Sequence, residues 1–76
     1  MDIRKLFGAN VRRIRIAADL TQAAVAVRMG VDRAYISSIE RGGQNVTLTS
    51  LLEVAHALGV RPVDLLDEDP AEEPKV

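Results

Sequence analysis

The chain of 76 residues has no cysteine, so disulfides and thiolate metal sites are excluded. Its one histidine, His56, cannot form a metal site by itself. No stretch approaches the roughly 18 consecutive apolar residues of a membrane span. The opening segment, MDIRKLFGANVRRIRIA, is too charged for a secretory signal. A cytoplasmic protein without membrane contact is therefore expected. Catalytic constellations are missing as well: there is no nucleophile beside a base, no metal cluster and no phosphate-cradling loop. Neither an enzyme nor a cofactor is expected. Strand-like alternation and internal repeats are also absent, which leaves an all-α fold.

What is present is enough for one small domain. A chain of this size buries only about 60% of its unfolded surface. Below about 70–80 residues a core often needs a metal, disulfides or a partner subunit. With the first two excluded, self-association is the expected source of extra burial. The whole-chain net charge of −1 conceals an asymmetry. Residues 1–66 carry nine Lys/Arg and six Asp/Glu, a net +3, while residues 67–76 carry five acids and one Lys, a net −4. Polyanion binding depends on local charge, and the first part is mildly basic. The segment DEDPAEEPKV is read as an acidic, disordered tail after a domain at 1–66.

Five helices are expected. Ile3, Leu6, Phe7, Val11, Ile14 and Ala18 keep helical spacing over 3–18, with Asp2 as N-cap. Gly8 weakens that helix by up to about 1 kcal/mol. Asp19 suits a left-handed exit. Thr21 caps a helix at 22–29 with Val25, Ala26 and Met29 inward and Val27 outward. Asp32 caps a helix at 33–41, and Gly42-Gly43 stops it. Thr47 caps 48–58, whose inner face is read as Leu48, Leu51, Leu52, Ala55 and Leu58. Gly59 closes that helix, and Pro62 suits the first position of a short helix at 62–66.

The second and third helices meet at a hinge, Met29-Gly30-Val31-Asp32, with the small Ala26 four positions before the glycine. Such a unit crosses two helices steeply and projects the second. A projecting helix with a short polar face fits the DNA major groove, about 12 Å wide. On a 100° projection, Ile36 and Ile39 face inward, while Arg33, Ala34, Ser37, Ser38 and Arg41 share the outward arc and Tyr35 lies on its border. Arg matches guanine O6 and N7, Ser pairs with several bases, and Ala touches a thymine methyl. The bland reading of the same arc is a small polar surface. Tyr35 is open between a ring packed on the core and a hydroxyl reaching DNA.

This succession resembles the lambda-repressor-like, or Cro/CI-type, helix-turn-helix family over roughly 6–66. The resemblance is carried by Ile14-Arg15, Leu20-Thr21-Gln22, Met29-Gly30-Val31, the run from Tyr35 to Gly42, Asn45, Thr47-Leu48, Leu51-Leu52, Ala55, Ala57-Leu58-Gly59-Val60 and Leu65-Leu66. The stretch DRAYISSIERGGQNVTL is most similar to the controller proteins of restriction–modification systems. The family implies that Gln22 grips a phosphate and that Arg15 and Glu40 form a structural ion pair. It also implies backbone contacts from the loop holding Gln44 and Asn45. Gln44 departs from the controllers, which often carry Arg there, so no charge is supplied at that position.

The resemblance further implies a two-fold dimer on an inverted-repeat operator, with helices 4 and 5 in contact. Val46, Val54, Val60, Val63 and Leu66 are the candidate patch; their other reading is as parts of one chain's own core. RNA polymerase is a further candidate partner of such a regulator. A competing reading is a helical protein-interaction module, such as an antitoxin, whose acidic tail orders on contact. It predicts neither salt-sensitive DNA affinity nor loss of site discrimination on changing Arg33.

Overall fold

Capping residues set most of the element boundaries. In the computed structural model, which describes residues 1–68, Asp2 accepts from the Arg4 backbone N–H at 3.0 Å and opens α1 (Ile3–Ala17). Partial desolvation pushes the Asp2 carboxyl up, but the Arg4 and Lys5 N–H groups and the Arg4 guanidinium outweigh it, leaving the group below its ordinary value. Asp19 leaves the helix with φ 60, as its side chain allows. Thr21 then caps α2 (Gln22–Met29) through the Ala24 N–H, and Gly30 ends it at φ 70. Thr47 caps α4 (Leu48–Leu58) through the Ser50 N–H, and Gly59 ends that helix at φ 72.

Helix α1 ends one residue earlier than expected, with Ala18 as its C-cap, and three further details differ from the sequence reading. Asp32 stands at the N-cap of α3 (Arg33–Glu40) in extended backbone, but its side chain makes no capping hydrogen bond. Arg41 is the C-cap of α3 rather than its last helical residue. The expected fifth helix is a 3-10 turn at Pro62–Leu66, so the described residues form four α-helices and one tight turn. Five residues beginning with proline are too few to close a stable α-helical hydrogen-bond ladder. No strand occurs among the described residues. From residue 69 onward, the expected acidic tail lies outside the described residues.

The core is one apolar cluster built from every element: Phe7 and Val11 of α1, Val25 and Ala26 of α2, Ile36 and Ile39 of α3, Val54, Ala55, Ala57 and Leu58 of α4, and Leu65. Within it, Ala26 is buried, while Val27 on the same helix is exposed, both as their spacing indicates. Gly8 has a stronger role than helix weakening. A Cβ at Gly8 would collide with the Ile39 carbonyl oxygen and approach the Glu40 carbonyl oxygen to 2.9 Å. Glycine here lets α1 lie directly against the end of α3.

Helix α4 is turned relative to the reading from spacing. Its buried side chains are Val54, Ala55, Ala57 and Leu58, whereas Leu48 is 81% and Leu52 58% exposed. The difference corresponds to a rotation of roughly 70° about the axis at 100° per residue. It also moves Val54 from the candidate subunit patch into the core of the single chain. Val46 and Val60 pack partly against that core, while Val63 and Leu66 are exposed. Asn10, buried among apolar side chains, donates to the backbone oxygens of Leu65 at 3.0 Å and Asp67 at 2.9 Å. It thereby fastens the end of the domain to α1.

Candidate nucleic-acid interface

Helix α3 is held from beneath by Ile36 and Ile39, both fully buried. Its other side faces outward: Arg33, Ala34 and Arg41 are exposed, and Ser37 and Ser38 are half-buried at the edge. The projected arc is therefore brought together on one surface. Tyr35 is half-buried with its ring against the core cluster, which supports the packing alternative for the ring.

The polar side chains on this surface are organised among themselves. Arg41 Nη1 donates to Ser37 Oγ at 2.5 Å. Gln44 Nε2 donates to Ser38 Oγ at 3.1 Å, so the loop after α3 folds back onto the helix. A Cβ at Gly43 would meet that same Ser38 oxygen at 2.9 Å, so glycine permits the close return of the loop. Asn45 is exposed in the loop.

Beneath this surface lies the ion pair that the resemblance implies. Arg15 Nε donates to Glu40 Oε2 at 2.6 Å and Nη2 donates to Oε1 at 3.1 Å, a bidentate pair with side chains 10% and 3% exposed. The remaining Arg15 nitrogen, Nη1, donates to the Leu20 carbonyl oxygen at 2.8 Å. One guanidinium thus joins the α1–α2 turn to the end of α3. Among the described residues, every buried side-chain nitrogen and oxygen has a hydrogen-bond partner. That satisfaction is what makes a buried charge tolerable.

Sequence reasoning missed how these groups connect. Gln22 Nε2 donates to Glu40 Oε1 at 3.1 Å, and Gln22 Oε1 accepts from Arg33 Nη1 at 3.0 Å. Arg12 Nη1 lies 3.9 Å from Glu40 Oε1. A shallow groove lined by Arg12, Asp19, Thr21, Gln22 and Arg33 runs along this seam. Its two exposed arginines and the N–H groups at the start of α2 that Thr21 does not cap favour an anion, against the single carboxylate of Asp19. Arg28 Nη1 was also missed; it donates to the Ala57 carbonyl oxygen at 2.8 Å and ties α2 to the end of α4. The available signal for Asn10 was a polar residue inside the apolar stripe of α1; for Gly8 it was a glycine inside a strong helix.

Among the described residues no group of three His, Cys, Asp or Glu could hold a metal. No helix among them is long and apolar enough to cross a membrane. His56 is exposed on α4.

Comparison with known proteins places this arrangement. A family model described as Helix-turn-helix matches residues 11–65. An uncharacterized HTH-type transcriptional regulator, y4dJ of Sinorhizobium fredii, is 48% identical over 73 residues, covering 92% of this chain and 95% of its own length. Control protein C.BamHI of Bacillus amyloliquefaciens is 46% identical over 67 residues, covering 87% and 83%. Among solved structures, the restriction-modification controller protein C.AhdI from Aeromonas hydrophila has a TM-score of 0.77 at 39% identity, over 82% of this chain and 94% of its own. The controller protein C.Esp1396I, as a tetramer in complex with its natural 35 base-pair operator, has a TM-score of 0.77 at 31% identity, over 86% of each chain. The matched span takes in the α2–α3 unit, the Arg15–Glu40 pair beneath it and all of the core but Phe7, and the chain belongs to the helix-turn-helix family, with restriction–modification control proteins among its relatives.

Proposed function

We propose that this protein is a sequence-specific, double-stranded DNA-binding transcriptional regulator that acts as a homodimer on an inverted-repeat operator. The observation that carries the reading is the outward arc of α3, with Arg33, Ala34 and Arg41 exposed beside the anion-favouring start of α2. In this reading α3 enters the major groove. Arg33 reads guanine, Ala34 meets a thymine methyl, and Ser37 and Ser38 contact neighbouring base edges. Gln22 and the loop at Arg41, Gln44 and Asn45 approach phosphates, which set register rather than sequence. The Tyr35 hydroxyl can reach the backbone while its ring stays packed.

The relatives named as control proteins, and the one solved on its operator, support a place among restriction–modification controllers. A role inside the cytoplasm, and a contact with RNA polymerase once bound, belong to the same proposal. The subunit surface is revised by the rotation of α4. Leu48, Leu52, Val63 and Leu66 offer the apolar patch, with Val46 and Val60 at its margin, and Val54 is withdrawn from it. Recognition helices of such a dimer read half-sites about 34–36 Å apart.

Selection of bound fragments from random DNA tests the proposal. Recovery of an inverted repeat with that spacing is the expected outcome, with affinity falling steeply as salt rises. Enrichment of no sequence, together with capture of a protein partner, overturns it in favour of an interaction module.

A further inference from the structure

Lys5 is set apart by the partners it lacks. Among the described residues every arginine has an ion pair or a side-chain hydrogen bond, and the exposed Lys5 has neither. It also stands in the first turn of α1, at the positive end of the helix dipole, where a cation weakens a helix. Neither pairing nor helix stability accounts for a lysine here.

Its surroundings are set by the loop that follows α3. A Cβ at Gly42 would lie 2.8 Å from Lys5 Cγ and 3.1 Å from Lys5 Cα. Gly42 therefore makes room for the stem of Lys5 as well as taking the left-handed turn at φ 78. Lys5, Gly8 and Arg12 follow one another at three and four residues and form one stripe of α1. That stripe lies along the end of α3: Gly8 against the carbonyl oxygens of Ile39 and Glu40, Arg12 3.9 Å from Glu40 Oε1, and Lys5 over Gly42. Arg12 lines the groove at the start of α2. Lys5 lies about 10 Å away along the helix, at the loop formed by residues 41–45.

The loop's own donors are largely engaged. The Arg41, Gly42 and Gly43 N–H groups donate to the carbonyl oxygens of Ser37, Ile39 and Ser38. The Gln44 amide is turned to Ser38, and Arg41, the one cation of the loop, is turned to Ser37. We infer that Lys5 is a DNA-backbone contact: its ammonium holds a phosphate against the 41–45 loop and supplies from α1 the charge that the loop turns inward. This adds a residue to the interface proposed above, and it rests on the reading of α3 as the helix in the major groove. An ammonium on a flexible stem acts as a point charge and binds phosphate without the fixed fork of an arginine. Such a contact acts on every sequence alike, and it appears in the salt dependence because neutralising a phosphate releases its counterions.

The experiment uses the full chain and the operator recovered by selection. Lys5→Met keeps an unbranched stem over Gly42 and removes the ammonium, while Lys5→Arg keeps a cation. Arg13→Gln is the control: it removes one charge from another side of α1, where Arg13 meets Asn10. Circular dichroism with a melting curve verifies each fold. In a dimer, Lys5→Met should lower the slope of log affinity against log salt by about two, one for each chain. Between about 50 and about 200 mM salt, the wild-type protein should therefore lose about tenfold more affinity than Lys5→Met. Lys5→Arg should keep the wild-type slope, Arg13→Gln should lower it by less than half as much, and the preference for operator over altered operator should stay the same throughout. An unchanged slope in Lys5→Met, an equal fall in Arg13→Gln, or a changed preference in Lys5→Met overturns the inference and leaves the reading of α3 standing. If the wild-type protein enriches no sequence and its affinity for DNA does not depend on salt, the reading of α3 fails and the Lys5 contact fails with it.

Discussion

The two ends of this small domain solve opposite problems. Where the turn between α1 and α2 meets the end of α3, the apolar core is bordered by a polar network: the Arg15–Glu40 pair, Gln22 and the Leu20 carbonyl oxygen satisfy one another, and Gly8 brings backbones into close approach. Where α4 meets the 3-10 turn, the interior is apolar, and the surface keeps Leu48, Leu52, Val63 and Leu66 in contact with water. The first end spends its polar groups internally and fixes the angle of α3. The second leaves hydrophobic area uncovered. One arrangement suits rigid presentation to a polyanion, the other suits burial against a second chain. Substitutions should therefore damage the first end through folding and the second through association.

The largest effect is expected at the buried pair. Arg15→Ala leaves a carboxylate that is 3% exposed without its bidentate partner. Breaking such a pair costs about 3–5 kcal/mol. Small domains are stable by only about 5–15 kcal/mol in total, so urea denaturation should show a protein close to unfolding. A loss under about 1 kcal/mol would mean that Arg12, already 3.9 Å from Glu40, takes over the role.

Gly8→Ala comes next and tests the sign of an ordinary rule. In an exposed helix interior, alanine gains up to about 1 kcal/mol over glycine. At Gly8 the new methyl meets the carbonyl oxygens of Ile39 and Glu40, and backbone cannot swing aside as a long side chain can. Overpacking of this kind costs about 1–3 kcal/mol. Denaturation should show destabilisation, and the tilt of α3 should change, with weaker operator binding even where the chain remains folded. A more stable Gly8→Ala protein would refute the close seam.

Much of this is legible in the sequence. The boundaries of α2 and α4 follow from Thr21, Gly30, Thr47 and Gly59, because caps act locally and need no tertiary partner. The outward arc of α3 was legible for a related reason: Ile36 and Ile39 are its only large aliphatic residues, so the buried side has one solution. Helix α4 had no such contrast. Apolar residues occupy Leu48, Leu51, Leu52, Val54, Ala55, Ala57 and Leu58, on more than one side, and spacing alone cannot choose among them. The surplus is itself informative, since a helix apolar on two sides is asking for two neighbours. The hydrogen bonds from Gln22 to Arg33 and Glu40 were invisible because they join residues 11 and 18 positions apart, from α2 to the two ends of α3. Likewise, Asn10 finds its acceptors 55 and 57 positions away.

Asn10 stands between the two ends and offers an intermediate test. Asn10→Leu matches the apolar surroundings but removes both donated bonds to the Leu65 and Asp67 oxygens. Losing buried hydrogen bonds of this kind costs about 1–3 kcal/mol. For a domain of this size each kcal/mol lowers the melting temperature by about 4–8 °C. The turn at Pro62–Leu66 should also loosen, which hydrogen exchange at its amides would detect. An unchanged melting temperature would mean that apolar packing alone seats the turn.

The smallest effect on the chain, and the clearest on its assembly, is expected at Leu48 and Leu52. Both side chains are mostly exposed in the single chain, so Leu48→Asp or Leu52→Asp should change the unfolding free energy by no more than about 0.5 kcal/mol. Val54→Asp, two positions further along, buries a carboxylate in the core and should leave no folded chain. Analytical ultracentrifugation then separates the outcomes. Loss of the dimer in a chain that stays folded, its melting temperature lowered only by the association it has lost, assigns the uncovered face to a second copy. A dimer that survives both aspartates places the subunit contact elsewhere, and the contrast between the two ends would then describe only how one chain packs.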